Sequence, residues 1–181
     1  LRVATLLRIA LKAFLLGLPL LAPDHMDSSV TIGNIIDAKS LCSARAAAYA
    51  EFKKTQAVGK LTKQLSKLTD QLLSQLWSEC DLNNTAALIA VGGYGRGALF
   101  PYSDVDILIL LPNQNKEAEE VSKKVEQFIT RCWDTGLEIG SSVRTVTECI
   151  SESDQDITVR TSLLEARYLC GQKLLFKEFA K

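Results

Sequence analysis

The chain has 181 residues, 47% of them apolar, and its 21 basic side chains balance 21 acidic ones. That length suits one domain with an added helical segment, and the apolar share supports a packed core rather than a disordered chain. The neutral balance gives no overall pull toward nucleic acid or an acidic membrane surface. The single histidine, His25, removes histidine-built metal centres, Ser-His-Asp triads and Cys-His dyads from the globular part.

Residues 1–22, "LRVATLLRIALKAFLLGLPLLA", place Arg2, Arg8 and Lys12 ahead of an uncharged run. This is the charge order of a signal peptide, but Leu20-Leu21-Ala22 is a poor cleavage site. The run is also shorter than the roughly 20 apolar residues that span a bilayer. Leu7, Leu11, Phe14, Leu15 and Leu18 recur at helical spacing, which fits an amphipathic helix equally well. With Met26 the only methionine, residues 1–34 read as a leader and linker. They are either a dispensable stretch upstream of Met26, a native helix or a targeting segment.

A helix is expected over 35–55, where "SARAAAYAEF" is rich in the best helix former. A second covers 59–80, with Leu61, Leu65, Leu68, Leu72, Leu73, Leu76 and Trp77 along one stripe. "DLNN" (81–84) is a turn, "AALIAV" (86–91) a buried strand and "VDILILL" (105–111) a second strand. A helix over 116–135 turns Val121, Val125, Phe128, Ile129, Cys132 and Trp133 inward and is closed by Gly136. A third strand follows over 137–146. Thr145 and Glu148 have the spacing of a capping box, so another helix starts there. A further helix spans 156–169, and Gly171 separates it from a last helical piece. The pattern is α/β (α+β): a small mixed sheet flanked by helices, with a helical segment at 35–85 and a core at 86–181. Cys42, Cys80, Cys132, Cys149 and Cys170 contain no C-x-x-C pair and read as reduced thiols in a cytoplasmic protein.

The stretch that carries chemistry is "VGGYGRGALFPYSDVDILIL", residues 91–110. Asp104 and Asp106 lie two apart on a strand, so they project to one face with Cα atoms roughly 6.6–7 Å apart. Two such carboxylates either end a solvated strand or converge on a hard cation. Magnesium takes one or two carboxylates together with phosphate oxygens. Gly92 and Gly93 leave a strand directly, and their bare backbone admits either a tight turn of positive φ or the close approach of a phosphate. A short helix starting near Tyr94 would add its dipole there. Arg96 is either solvated or set to pair its planar fork with phosphate oxygens. The glycines fit neither G-x-G-x-x-G nor a P-loop.

Phosphate-cradling glycines on one strand exit and a carboxylate pair on the next compose a triphosphate-plus-Mg²⁺ site. "G-G-Y-G-R-G-x-L-x-P-x-S-D-x-D" resembles the signature of the DNA polymerase β-type nucleotidyltransferase superfamily. It is most similar to the N-terminal domain of the bacterial PII uridylyltransferase/uridylyl-removing enzyme. "LLSQLWSE", "LEIGSSVRTVTEC" (137–149) and "SLLEARYLCG" (162–171) resemble other segments of that family, so the likeness covers about 60–175. It implies a polymerase β-like nucleotidyltransferase fold over 35–181, with Gly92 and Gly93 against the triphosphate and Asp104 and Asp106 holding Mg²⁺. Ser103, just before the pair, either caps the turn or joins the cofactor-binding residues with Gly92, Gly93 and Arg96. Glu138, at the opening of the third strand, is either the superfamily's third carboxylate or a solvent-facing glutamate. Alanine at 98 departs from the acidic residue common there. The implied reaction moves UMP from UTP to a tyrosine of a PII nitrogen-signal protein, with no nucleic acid or membrane partner. The alternatives are a nucleotidyltransferase with another acceptor and a catalytically silent nucleotide-binding module. The family continues into a phosphohydrolase domain and ligand-sensing domains, so the core is expected to be truncated.

Overall fold

The computed structural model describes residues 38–113 and 118–181. The expectations for 1–34, and for the beginnings of the helices at 35 and 116, lie outside them. Helix α1 (Ala38–Thr55) and helix α2 (Val58–Glu79) precede strand β1 (Ala87–Ala90) and a single helical turn, α3 (Gly92–Gly95). Strand β2 (Val105–Leu111), helix α4 (Ala118–Asp134) and strand β3 (Ile139–Thr145) come next. Helices α5 (Val146–Gln155) and α6 (Ile157–Leu164), strand β4 (Arg167–Gly171) and helix α7 (Lys173–Phe179) complete an α/β fold.

The four strands form one mixed sheet in the order β3-β2-β1-β4. β1 runs antiparallel to β2 and to β4, while β2 and β3 are parallel. Alternation sends Leu88, Ala90, Val105, Ile107 and Ile109 to one face, into the core shared with the apolar stripes of α2 and α4, and α1 packs on α2. Ala87, Ile89, Val91, Leu108 and Leu110 face the other way and meet Val146 and Cys149 of α5 and Leu175 of α7. A sheet covered on both sides explains why the central strands read as continuous apolar runs rather than alternating ones. Trp77 of α2 meets Phe128 of α4 edge-to-face at 5.1 Å. Such a pair contributes about 0.5–1.5 kcal/mol beyond the area it buries.

Gly136 closes α4 at φ +79°, as its position predicts, and the Thr145–Glu148 capping box forms with both reciprocal bonds. Three expectations are corrected. The helix expected over 156–169 ends at Leu164, and Arg167–Gly171 is an edge strand paired with β1. The open edge of β1 supplies partners that outweigh the local helical reading. Trp133, expected inward, is 55% exposed, because Phe128 and Cys132 already fill the face toward the sheet. The third strand is Ile139–Thr145 rather than 137–146. All five cysteines are free thiols, and Cys80, Cys132 and Cys149 are buried. No helix among the described residues is long and apolar enough to cross a membrane.

Candidate active site

Strand directions gather the site at one end of the sheet. β1 leaves where β2, β3 and β4 enter, because it is antiparallel to β2 and β4 while β3 follows β2. The ladder continues past the strands: Val91 N–H donates to Asp106 O at 3.1 Å, and Val105 N–H donates to Glu138 O at 2.9 Å. The diglycine turn, the aspartate pair and the start of β3 are therefore backbone neighbours despite their separation along the chain.

Asp106 extends the row of Leu108 and Leu110 one step beyond their apolar cover. Its carboxylate lies between two bare α-carbons. Oδ1 is 2.6 Å from where a Cβ at Gly140 would stand, and Oδ2 is 3.3 Å from the corresponding point at Gly92. A side chain at 140 would displace the carboxylate. Gly92 adopts φ +54°, a region that an L side chain enters only with strain. Burial first, and the Asp104 charge second, push the Asp106 carboxyl above the usual carboxylate range. Neither aspartate forms an ion pair with a cationic side chain among the described residues.

The other expected residues surround this centre unequally. Asp104 is exposed just before β2, and the exposed Glu138 stands next to it, one residue before the Val105–Ile139 pair. Among the described residues, no three His, Cys, Asp or Glu side chains form a group that could hold a metal. The aspartates and Glu138 are thus neighbours at the sheet end without forming a three-ligand cluster. The amides of Gly92 and Gly93 have no hydrogen-bond partner among the described residues. Arg96 folds back over this turn, its Nη2 lying 3.5 Å from where a Cβ at Gly93 would be. Its Nη1 donates to both oxygens of Glu165, at 2.7 and 2.9 Å. Ser103 is exposed, and its backbone N–H closes the preceding turn on Phe100 O at 3.2 Å.

A second ring of residues fixes the glycine turn. Arg167, at the start of β4, donates to Asp70 of α2 through Nη1 to Oδ2 at 2.8 Å and Nη2 to Oδ1 at 3.0 Å. The same guanidinium donates to Gly95 O at 3.2 Å and to Tyr94 O at 3.4 Å, and it lies 5.3 Å from the centre of the Tyr94 ring. The buried Tyr94 hydroxyl donates to Asp70 in turn. Burial first and the Asp70 charge second raise the Tyr94 phenol well above its ordinary pKa. Burial works against the Arg167 charge, yet its bonds to Asp70 outweigh that and keep its pKa raised. Gly95 sits so close beneath Glu165 that a Cβ there would be 2.0 Å from the Glu165 carbonyl oxygen. Sequence reasoning missed Asp70, Tyr94, Ser162, Glu165 and Arg167. Helix-forming residues continue through "SLLEARYL" to Leu169, which hides the strand that carries Arg167 to the turn.

The nucleotidyltransferase domain family matches residues 72–163, about half of the chain. A bifunctional uridylyltransferase/uridylyl-removing enzyme of Burkholderia lata is 56% identical over 128 residues, 71% of this chain and 15% of the relative's length. The enzyme of the same name from Burkholderia mallei is 53% identical over 137 residues, 76% of this chain and 16% of the relative. The chain therefore spans about a sixth of these relatives. With the family match running from α2 through the glycine turn and the aspartate pair into α6, the chain belongs to the nucleotidyltransferase domain family.

Proposed function

We propose that the chain is the nucleotidyl-transferring part of an enzyme that moves UMP from UTP onto a tyrosine hydroxyl of a PII-type nitrogen-signal protein. The observation that carries the reading is the Asp106 carboxylate, held between Gly92 and Gly140 beside free glycine amides and unmatched by any described cationic side chain. The relatives are named uridylyltransferases, which supports UTP as donor.

Asp104 and Asp106 would hold Mg²⁺, whose coordination needs only one or two carboxylates alongside phosphate oxygens. The donor set fits: all-oxygen ligands, an excess of negative charge and a carboxyl whose ionised form lacks a counter-charge. Bound there, magnesium would supply charge neutralisation for the attacking and leaving oxygens. The Gly92 and Gly93 amides would donate to triphosphate oxygens, and Arg96 would turn its fork from Glu165 toward the same phosphates. The tyrosyl oxygen bonds to the α-phosphorus as the bond from that phosphorus to the bridging oxygen breaks, releasing pyrophosphate. The hydroxyl proton passes to a carboxylate of the site, for which Glu138 and the aspartates are the candidates.

Incubating the chain with Mg²⁺, a PII protein and α-labelled UTP, ATP or CTP tests the reading. Label from UTP on a PII tyrosine is the expected result. Transfer from ATP, or onto an unrelated acceptor alone, would displace it.

A further inference from the structure

We infer that Ser162 is a substrate-binding residue of this site, and that its hydroxyl donates to a phosphate oxygen of the triphosphate seated on the Gly92–Gly93 turn. The inference rests on the nucleotide-binding reading above and adds a residue to it.

Three observations converge. The first is position. Around the point where a Gly92 Cβ would stand, the two nearest groups are Asp106 Oδ2 at 3.3 Å and Ser162 Oγ at 3.5 Å. The bare face of Gly92 is thus flanked by the carboxylate on one side and the hydroxyl on another. Ser162 Oγ is thereby at the rim of the bare glycine, where a phosphate oxygen packed over Gly92 would find it as the nearest hydroxyl.

The second is an unspent donor. Ser162 is half-buried, yet its hydroxyl makes no hydrogen bond among the described residues. Its neighbour Thr161 shows the ordinary fate of such a group in a helix, donating to Ile157 O and to Thr158 O, both at 3.0 Å. Ser162 leaves that option unused on the side that faces the glycine turn.

The third is the helix itself. α6 buries none of its residues fully, so core packing alone does not account for its placement. It is fixed at both ends. Asp156 caps its start by accepting from Thr158 N–H at 2.7 Å, and Glu165, just past its end, packs its backbone carbonyl on Gly95, a contact that stays when Arg96 turns away. These anchors hold Ser162 over the turn.

The chemistry selects the phosphate. The Asp106 carboxylate accepts hydrogen bonds and repels an anion, so a phosphate beside it gains from every donor nearby. A serine hydroxyl supplies one donor without adding charge. The glycine amides approach from the backbone side and the hydroxyl from the helix side, so one phosphate oxygen can receive both.

The test compares wild type, Ser162→Ala and Asp106→Asn of the full chain by calorimetry with Mg²⁺ and two probes. The probes are a UTP analogue with a methylene between its α- and β-phosphorus atoms and inorganic tripolyphosphate. Ser162→Ala should weaken both probes by a similar factor, about tenfold or more for a lost hydrogen bond to a charged group. Its thermal unfolding should match wild type, since no internal bond is lost. Equal binding by wild type and Ser162→Ala overturns the inference and leaves the site reading standing. Weakening of the UTP analogue alone also overturns it, since the hydroxyl would then touch the nucleoside. No Mg²⁺-dependent binding of either probe by wild type, or binding unaltered in Asp106→Asn, removes the site reading itself and the inference with it.

Discussion

Replacing Asp70 by alanine should be among the costliest single changes on the α2 side of the glycine turn. Asp70 accepts two hydrogen bonds from Arg167 and one from the Tyr94 hydroxyl. Its removal strands the guanidinium and an otherwise buried phenol together. Breaking a fully buried ion pair by deleting one partner costs roughly 3–5 kcal/mol. Here the side chains keep 31% and 29% of their exposure, so water screens part of the charge. We discount the ionic part to about 2 kcal/mol and add about 1 kcal/mol for the unsatisfied Tyr94 hydroxyl. The expected loss is about 3 kcal/mol, read as a lower urea midpoint at unchanged slope. The double variant Asp70→Leu with Arg167→Met removes both charges and should recover much of that loss, since paired apolar replacements avoid the stranded ion. It should still bind Mg²⁺-UTP analogue poorly, because the bonds from Arg167 to Gly95 O and Tyr94 O are gone. A loss under about 0.5 kcal/mol in Asp70→Ala, the usual reach of a neutral surface change, would refute the reasoning. So would a double variant with restored stability and undiminished binding, since the network would then have no part in holding the turn.

Gly95→Ala should destabilise by about 1–3 kcal/mol and weaken nucleotide binding together, because a Cβ 2.0 Å from the Glu165 carbonyl oxygen must push the end of α6 outward. Urea unfolding and calorimetry on one preparation would check both, and a neutral result would contradict the close approach. Asp106→Asn should raise the melting temperature at pH 7 while abolishing Mg²⁺-dependent nucleotide binding. The raised carboxyl means that the folded chain holds that proton more tightly than the unfolded chain, so the Asp106 contribution to stability falls as pH rises from the ordinary value of 3.8 through the folded one. The variant's advantage should therefore vanish in melting scans below about pH 4, where both states are protonated. An advantage independent of pH would refute the assignment to charge.

The fold was legible wherever local pattern and tertiary context agree. The leucine stripe of α2, the apolar runs of β1 and β2, the Gly136 stop and the Thr145 cap each state their structure within a few residues. β4 was not legible, because Arg167–Gly171 follows a helix with only Glu165 and Ala166 between them and carries no turn signal of its own. Its strand state comes from the free edge of β1, which no window of the sequence contains. Trp133 misled for a related reason. Helical periodicity says which side chains share a stripe but not how wide a stripe the sheet leaves room to bury.

The site divides along the same line. Gly92, Gly93, Asp104 and Asp106 lie in one short run, so their meeting at one end of the sheet could be read from residue type and spacing. Gly140 and Ser162 come close to Asp106 and Gly92 only because β3 runs parallel to β2 and α6 returns across the turn. Gly140 in particular looks like an unremarkable strand glycine until the Asp106 carboxylate is seen to occupy the place of its missing side chain. The helix expected at the turn carries a different weight from the one its dipole suggested. α3 is one turn of four residues, Gly92–Gly95, and aligned peptide dipoles need length to sum. What the turn would offer an anion is therefore the free amides themselves and the bare backbone of a glycine. Both depend on the backbone staying where Arg167, Asp70 and Gly95 hold it. Affinity for a triphosphate should thus follow the integrity of that network more closely than the net charge of the surface around it.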